Sequence, residues 1–206
     1  MRERIYRAAL RLFAERGYLE TTVEDITEAA DVGKGTFFNY FPTKEHVLAT
    51  FGMERVAAID RGLLKARATN GAVLPVIREL ATHFAGQASE SPALLRSIYS
   101  AHASCAPVRA ELQKRIRRGR ALMAEIFVMA QKRLEIRSDI PASELARMTQ
   151  LIFMGVTLSW AMNPEKALQK TGEDVWELLS ASLQAAGSES KRKALGRKRS
   201  QSSTGT

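Results

Sequence analysis

Residues 33–36, Gly-Lys-Gly-Thr, combine residue types that bind phosphate. Glycine lets the backbone approach an anion closely, lysine supplies positive charge, and a threonine hydroxyl donates hydrogen bonds to phosphate oxygens. The phosphate could belong to a nucleotide or to the backbone of a nucleic acid. Because these two alternatives require different surroundings, the neighbouring sequence distinguishes between them.

A nucleotide-binding P-loop requires the pattern G-x-x-x-x-G-K-[ST] directly after a buried strand. Glu28 occupies the position of the first glycine, and Gly35 follows Lys34 where the pattern needs serine or threonine. The preceding residues also have helical periodicity rather than the alternation of a strand. The nucleotide alternative therefore fails on three requirements.

Two helices are predicted before the phosphate-binding residues. Apolar residues at helical spacing indicate a first helix over 5–13, which Gly17 is well placed to end. Thr22 and Asp25 have the spacing of a capping box, which predicts the start of a second helix that runs to about residue 30.

The chain then breaks tightly and enters a third helix. Asp31 lies at the break and tolerates a left-handed backbone better than most residues. The third helix, about 33–40, must end before Pro42. We expect Phe37 and Phe41, four residues apart, to form its inward face. Two short helices joined by a tight break predict a helix-turn-helix motif, which places its second helix in the major groove of DNA.

Composition and charge distribution limit the other classes of protein. The apolar fraction of 45% and charged fraction of 26% are typical of a soluble globular protein, and the longest nearly apolar run, residues 151–162, is too short to cross a bilayer. A single cysteine, Cys105, and the lack of a secretory signal before residue 5 favour a cytoplasmic protein. The net charge is +9, but residues 1–47 have a net charge of −1. The motif, rather than net charge, therefore identifies the DNA-binding segment.

The remaining sequence predicts an all-α protein of about nine helices, with a three-helix head and a larger helical body. A longer fourth helix follows Thr43, and the last helix begins after Gly172. We predict a DNA-binding domain over 1–46, a ligand-binding and dimerisation domain over 47–186, and a disordered basic tail over 187–206.

Two segments, AALRLFAERGY at 8–18 and TTVEDITEAADVGKGTFFNYFPTKEHVL at 21–48, closely resemble the DNA-binding head of the TetR family of bacterial transcriptional regulators. The elements Phe-x-x-x-Gly-Tyr, Thr-Thr, Gly-Thr-Phe and Tyr-Phe-x-x-Lys-Glu occur in order at the family's spacing. The resemblance covers residues 4 to about 51. It implies DNA contacts at seven positions: Thr22, Lys34, Gly35, Thr36, Phe38, Tyr40 and Lys44.

Two positions depart from the family pattern. The family usually has tyrosine at the position of Phe38, so a hydroxyl that often reaches a phosphate is missing and Phe38 retains a van der Waals contact. Asp31-Val32-Gly33 replaces the family's glycine followed by Val-Ser, which removes a serine cap and adds a carboxylate near the DNA. Both departures concern affinity rather than fold.

The resemblance also implies that the body dimerises and holds a small-molecule effector. The predicted pocket consists of large apolar, aromatic and histidine side chains: Phe84, Ile98, Tyr99, His102, Met123, Phe127, Phe153 and Trp160. The predicted homodimer interface, on the last two helices, consists of Met148, Ile152, Val175, Leu178, Leu179, Ser182 and Leu183.

Five cations lie within residues 114–120, and their positions are spread around a helix. A solvated face with ion pairs to residues such as Glu111 explains them most simply. The alternative is recognition of an anionic ligand such as an acyl-CoA or a carboxylate. The basic tail could likewise add non-specific DNA affinity or act only as a solubilising segment.

Other classes of function have weaker support in the sequence. His83, His102 and Cys105 match no zinc-binding pattern, so we expect no metal and no cofactor. No catalytic signature is recognisable, so we expect no enzyme activity. The sequence predicts a ligand-responsive regulator, in the first instance a repressor, that binds palindromic operator DNA as a dimer. The alternative is a ligand-independent regulator or architectural factor.

Overall fold

A computed structural model describes residues 1–51, 53–88 and 91–183 of the 206-residue chain. Nine helices with defined bounds follow one another: α1 Arg2–Arg16, α2 Val23–Ala29, α3 Lys34–Tyr40, α4 Lys44–Phe51, α5 Met53–Ala68, α6 Leu74–Ala88, α7 Pro92–Ser104, α8 Ala106–Lys132 and α9 Ala142–Met162. A C-terminal helical segment spans 168–183. Over the described ranges there is no strand, as the sequence predicted. None of the described helices is long and apolar enough to cross a bilayer.

The local signals of the head have the predicted conformations. Gly17 ends α1 with a positive φ of 90°, which glycine adopts without the steric cost of a side chain. The side chain of Thr22 accepts a hydrogen bond from the backbone N–H of Asp25, and the Asp25 carboxylate accepts one from the backbone N–H of Thr22. Asp31, at the break between α2 and α3, has a φ of 48°. The capping box and the left-handed turn are therefore confirmed.

The capping box leads to a prediction about stability. We expect Thr22→Ala to lower the free energy of unfolding by about 1 kcal/mol, because the first turn of α2 loses its cap. Urea denaturation would measure the change. Thr36→Ala is the matched control, since the Thr36 side chain forms no hydrogen bond within the described ranges. Equal losses for the two variants would contradict this role for the cap.

The pKa of Asp25 indicates how the same cap depends on pH. The pKa of this carboxyl is lowered, chiefly by the hydrogen bond from the Thr22 hydroxyl. A lowered pKa in the folded state means that the stabilisation is fully present above the unfolded value of about 3.9. It is lost as the pH falls through the lower, folded value.

The core of the head is aromatic and continues into the body. Phe13, Phe37 and Phe41 are fully buried, which confirms the predicted inward face of α3. The same cluster includes residues of α7, among them Leu95 and Ala101, because α1 packs against α7. The head is therefore joined to the body by shared apolar packing.

A second core cluster lies within the body, where α5, α6 and α8 pack together. The carboxylate of Glu135 accepts hydrogen bonds from the backbone N–H groups of Val73 and Leu74, at 2.7–2.9 Å, and so caps the start of α6. Gly119 allows α8 to approach α5, because a Cβ at this position would lie 3.2 Å from Ile59 Cδ1.

One predicted boundary differs from the structure. The predicted fourth helix corresponds to α4 and α5, and residue 52 between them lies outside the described residues. The last helix begins at residue 168 and runs through Gly172 instead of starting after it. Leu168 and Trp176 are both buried and lie two helical turns apart. Burial of such side chains outweighs the cost of about 1 kcal/mol for one glycine inside a helix. The predicted tail, 187–206, lies outside the described residues.

Candidate DNA-binding surface and ligand cavity

The predicted recognition helix, α3, has one buried face and one exposed face. Phe37 is fully buried, whereas Phe38 and Tyr40 are 50% and 43% exposed. Lys34 and Gly35 are exposed at its start, and Thr36 is partly exposed. The helix therefore carries five of the seven predicted contact residues on an accessible surface.

Contacts within the chain do not explain why residues 33 and 35, at the start of α3, are glycines. A Cβ added to Gly33 or Gly35 would meet no atom within 4 Å, and φ at Gly33 is −73°. Neither intrachain crowding nor a left-handed backbone therefore requires glycine here. Gly35 also costs helix stability, by about 1 kcal/mol relative to alanine. The DNA contact implied for Gly35 stays a prediction, and the open space at both glycines leaves room for it.

Lys34 forms an ion pair that joins α2 to α3. Its ammonium group contacts the carboxylate of Glu24, and both side chains are more than half exposed. The pKa of Glu24 is lowered, chiefly by this hydrogen bond. Solvent screens an exposed pair of this kind, so it contributes little to stability. Lys34 can therefore release Glu24 and bind a phosphate with little loss of folding free energy.

The side chain of Thr22 is already engaged within the head. Its hydroxyl donates to Asp25 Oδ2 at 2.7 Å and also accepts from the backbone N–H of Asp25 at 3.1 Å. Donation to a phosphate would therefore require the hydroxyl to release the carboxylate. The DNA contact at Thr22 stays a prediction, and the structural role of Thr22 is the capping box.

Lys44 also has an internal role that the sequence did not reveal. Its ammonium group donates to the backbone oxygens of Tyr18, at 2.8 Å, and of Thr21, at 2.6 Å. It also lies 4.4 Å from the centroid of the Tyr18 ring. Partial burial lowers the pKa of Lys44. Two of its three N–H donors therefore hold the α1–α2 connection against α4, and its DNA contact stays a prediction.

The two carboxylates next to these elements have partners. The Tyr18 hydroxyl donates to Glu45 Oε1 at 2.9 Å, and burial raises the pKa of Tyr18. Asp31, a departure from the family pattern, has a fully exposed carboxylate 3.6 Å from the guanidinium of Arg4. Arg4 also donates to the backbone oxygen of Asp31. The charge of Asp31 near the recognition helix is therefore partly neutralised.

A cavity of about 260 Å³ lies inside the body. Residues from α5 to α9 and from the C-terminal helical segment line it. Most of the lining is apolar, and seven of the predicted pocket residues belong to it: Phe84, Ile98, Tyr99, His102, Met123, Phe127 and Phe153. Trp160, which was also predicted, is not part of the described lining. It is buried in the core cluster next to the head, where its Nε1 donates to the backbone oxygen of Lys166 at 2.7 Å.

A few polar groups interrupt the apolar lining. The Arg55 guanidinium lies 4.2 Å from the ring centroid of Phe153 and 5.8 Å from that of Phe84. Burial lowers the pKa of Arg55 to about 10. Gln150 Oε1 and one terminal nitrogen of Arg115 are buried without hydrogen-bond partners. The described lining contains no Asp or Glu. The cavity is therefore both apolar and electropositive.

The cluster of cations at 114–120 divides between solvent and cavity. Lys114 pairs with Glu111 at 2.7 Å, as the solvated-face interpretation predicted. Arg117 and Arg118 are exposed. Arg115 and Arg120 instead line the cavity. The solvated-face interpretation therefore fits Lys114, Arg117 and Arg118, and recognition of an anionic ligand by Arg115 and Arg120 stays a prediction.

The outer face of α9 is apolar and exposed. Its exposed residues recur at helical spacing: Met148, Leu151, Ile152, Gly155, Leu158 and Met162. Met162 is 69% exposed, and Leu178, on the C-terminal helical segment, is 75% exposed. A contiguous apolar surface of this kind marks an interaction site.

The predicted dimer residues divide between this face and the cavity. Met148, Ile152, Leu178 and Ser182 are exposed, whereas Val175 and Leu179 are partly buried and Leu183 is buried. Four of the predicted residues line the cavity: Ile152, Val175, Leu179 and Leu183.

Sequence reasoning missed Leu151, Leu158 and Met162, although their spacing from Met148 was a usable signal. It also missed Arg55 and Gln150, for which no short motif exists.

A helix-turn-helix head joined to a helical body that encloses an apolar cavity defines a DNA-binding transcriptional regulator. The chain belongs to the TetR family of bacterial regulatory proteins, whose family model matches residues 5–50. FadR of Thermus thermophilus, a TetR-family transcriptional repressor solved in complex with lauroyl-CoA, is 31% identical. That alignment covers 88% of this chain and 94% of that one, with a TM-score of 0.64.

Other relatives are similar over part of the chain or in fold alone. The transcriptional repressor DhaR of Mycobacterium sp. (strain GP1) is 35% identical over 89 residues, which are 41% of this chain and 42% of DhaR. TcmR of Streptomyces glaucescens is 45% identical over 65 residues, which are 32% of this chain and 27% of TcmR. This chain therefore matches less than half of the length of these two regulators. FadR of Bacillus halodurans is 21% identical and shares the fold, with a TM-score of 0.75. That alignment covers 88% of this chain and 95% of the B. halodurans protein.

Proposed function

We propose that this protein is a repressor that binds palindromic operator DNA as a homodimer and releases it when a small apolar or amphipathic molecule occupies the cavity. The observation that carries the proposal is the combination of an exposed recognition helix with an apolar cavity in one chain. We take the DNA-binding unit as residues 1–46 and the ligand-binding and dimerisation unit as 47–186, acting in the cytoplasm.

The accessible surface of α3 supports the DNA-binding part of this proposal. Lys34 and Tyr40 bring a cation and a hydroxyl to the surface that would face a phosphate, and Gly35 allows the backbones to approach. In a dimer the two recognition helices would enter major grooves about 34 Å apart, or a multiple of that distance, on one face of the duplex. Such spacing requires a palindromic operator.

The apolar face of α9 supports the homodimer. Pairing α9 and the C-terminal helical segment with their symmetry mates would form an isologous four-helix contact. Gly155 leaves open space at the middle of the exposed face, where a Cβ would meet no atom within 4 Å. A partner helix can approach closely at this position.

The cavity supports control by a ligand. The lauroyl-CoA in the FadR complex of T. thermophilus combines an apolar chain with anionic groups, and an apolar, electropositive cavity suits a molecule of this kind. Because α8 lines the cavity and packs against both α4 and α5, movement around the ligand can reach the head. A ligand that favours a different spacing of the two heads lowers operator affinity by its differential binding to the two states.

A gel-shift experiment with DNA from upstream of the protein's own gene tests the proposal. The dimer should shift this DNA, and either dodecanoate or lauroyl-CoA should reverse the shift. Combining Lys34→Met with Tyr40→Ala should weaken binding by at least about tenfold. Lys132→Met, at an exposed lysine in the body, is the control. Unchanged binding by the double variant would reject α3 as the recognition helix, and unchanged binding with ligand would favour a ligand-independent regulator.

Lys34 alone provides a more specific prediction. We expect Lys34→Met to make the slope of log K against log salt concentration less negative by about 0.9 for each phosphate contact that is lost. Anisotropy titrations at several salt concentrations would measure the slope. Lys132→Met should leave it unchanged, and an unchanged slope for both variants would exclude a phosphate contact at Lys34.

A further inference from the structure

We propose that Arg55 recognises the carboxylate of an amphipathic effector inside the cavity, with the apolar part of the effector packed along the remaining lining. The proposal rests on the proposed function, since it assigns the chemical class of the molecule that occupies the cavity. It concerns free carboxylates with an aliphatic or aromatic body, rather than thioesters or neutral apolar molecules.

The environment of Arg55 is the first argument. Its guanidinium is largely buried, and it forms no ion pair with any Asp or Glu in the described part of the chain. A buried charge is costly unless it is paired. The described lining of the cavity has no Asp or Glu either, so a bound anion would supply the negative charge that Arg55 lacks among the described residues.

The geometry around Arg55 holds its planar group in place. The rings of Phe153 and Phe84 lie next to the guanidinium, at 4.2 and 5.8 Å. Stacking on an aromatic face leaves the N–H groups at the edge of the guanidinium free to donate. An arginine fixed in this way can bind a carboxylate through two parallel hydrogen bonds.

Neighbouring polar groups are also incompletely bonded. Gln150 lies one helical turn before Met154, and its amide nitrogen donates a hydrogen bond to the Met154 sulphur at 3.3 Å, while its oxygen has no hydrogen-bond partner among the described residues. By contrast, the Tyr99 hydroxyl bonds to the Met154 backbone oxygen and to Thr157. Buried polar groups are rarely left without hydrogen bonds. A carboxylate cannot bond to the Gln150 oxygen, since both groups accept hydrogen bonds, but it can accept one from the second N–H of the Gln150 amide, on the turn of α9 next to Phe153.

The size of the cavity agrees with a compact effector. A volume of about 260 Å³ is just below the usual range for ligand pockets, about 300–1,000 Å³. One carboxylate with an apolar body of moderate length suits this space. Placement of the carboxylate at Arg55 leaves the apolar lining from α6 and α8 for the body of the molecule.

Binding measurements with three probes test the proposal. The intact protein would be titrated with dodecanoate, dodecanol and lauroyl-CoA while the fluorescence of Trp176, a lining residue, is followed. We expect Arg55→Met to weaken dodecanoate binding by about 10- to 100-fold and to change dodecanol binding by less than about threefold. Arg118→Met, at an exposed arginine outside the described lining, is the matched control.

Several outcomes would overturn the assignment. Equal losses for dodecanoate and dodecanol would indicate general damage to the cavity, and equal losses for dodecanoate and lauroyl-CoA would exclude the carboxylate as the recognised group. The melting temperature of ligand-free Arg55→Met should equal or exceed that of the wild type, because a desolvated charge is removed. A clearly lower melting temperature would indicate that Arg55 stabilises the fold instead of binding the effector. Arg55→Lys, which keeps the charge but loses the planar fork, should bind dodecanoate with intermediate affinity.

Gel shifts separate failure of this inference from failure of the proposed function. If the wild type binds promoter DNA and lauroyl-CoA releases it, while Arg55→Met changes no probe's affinity, only the carboxylate assignment fails. If dodecanoate binding depends on Arg55 but neither the protein nor its variants bind promoter DNA, the carboxylate site stands and the proposed function fails.

Discussion

Replacing both Leu151 and Leu158 by lysine should convert the proposed dimer into a folded monomer and reduce its affinity for the proposed operator by about 10²- to 10⁴-fold. Both leucines lie on the exposed apolar face of α9, at 51% and 42% exposure, and neither belongs to the described lining of the cavity. Each substitution acts twice, because an isologous contact contains both copies.

The size of this effect has two sources. Burial of a leucine side chain stabilises a contact by about 1.5–3 kcal/mol, and a lysine at the same position would have to be desolvated without a partner. A monomer also loses the avidity of two linked half-sites, since its second recognition helix is no longer held near the DNA. The monomer should therefore bind DNA only weakly, although its recognition helix is intact.

Light scattering coupled to gel filtration would measure the mass, and anisotropy would measure DNA binding. Leu64→Lys is the matched control, because Leu64 is 58% exposed on α5, away from the α9 face. It should remain a dimer with unchanged DNA affinity. A dimeric Leu151→Lys, Leu158→Lys variant would reject the α9 face as the interface.

The second large effect should come from Lys44→Met, which we expect to lower the free energy of unfolding by about 1–3 kcal/mol. Methionine keeps most of the apolar length of lysine but removes the ammonium group. The backbone oxygens of Tyr18 and Thr21, both in buried residues, would then lose their hydrogen bonds from Lys44. Urea denaturation would measure the loss.

Comparison with Lys34→Met distinguishes the role of Lys34 in DNA binding from the role of Lys44 in stability. Lys34 pairs only with the exposed carboxylate of Glu24 among its described neighbours, so its removal should change stability by less than about 1 kcal/mol. We expect the salt slope of DNA binding to change for Lys34→Met and the stability to change for Lys44→Met. If Lys44→Met instead alters the salt slope with no loss of stability, Lys44 is a phosphate contact and its internal bonds are secondary.

The sequence predicted the head well because its signals are local. A capping box spans four residues, and a left-handed Asp and a buried Phe37–Phe41 pair are properties of one short segment. The internal role of Lys44 could not be predicted in this way. Its acceptors, Tyr18 and Thr21, lie 26 and 23 residues earlier, and only the packing of α4 against the head brings them together.

The body was predicted less completely because periodicity gives the apolar face of a helix but not the neighbour that covers it. Val175, Leu179 and Leu183 follow helical spacing, yet they face the cavity while Leu178 faces outward. Trp160 has the residue type of a pocket but lies one turn too far along α9. Arg55 was not predicted because a single arginine within a helix has no distinguishing pattern.

The core shared by the head and α7 also limits how far this protein can be treated as modular. Phe13 belongs to the same cluster as Leu95 and Ala101, so residues 1–46 include only part of the apolar surface that stabilises them. Grafting a head from another regulator onto this body would therefore require the facing side chains of α7 to be exchanged with it. A redesign of operator specificity is better confined to the exposed side of α3, where substitutions leave this shared core intact.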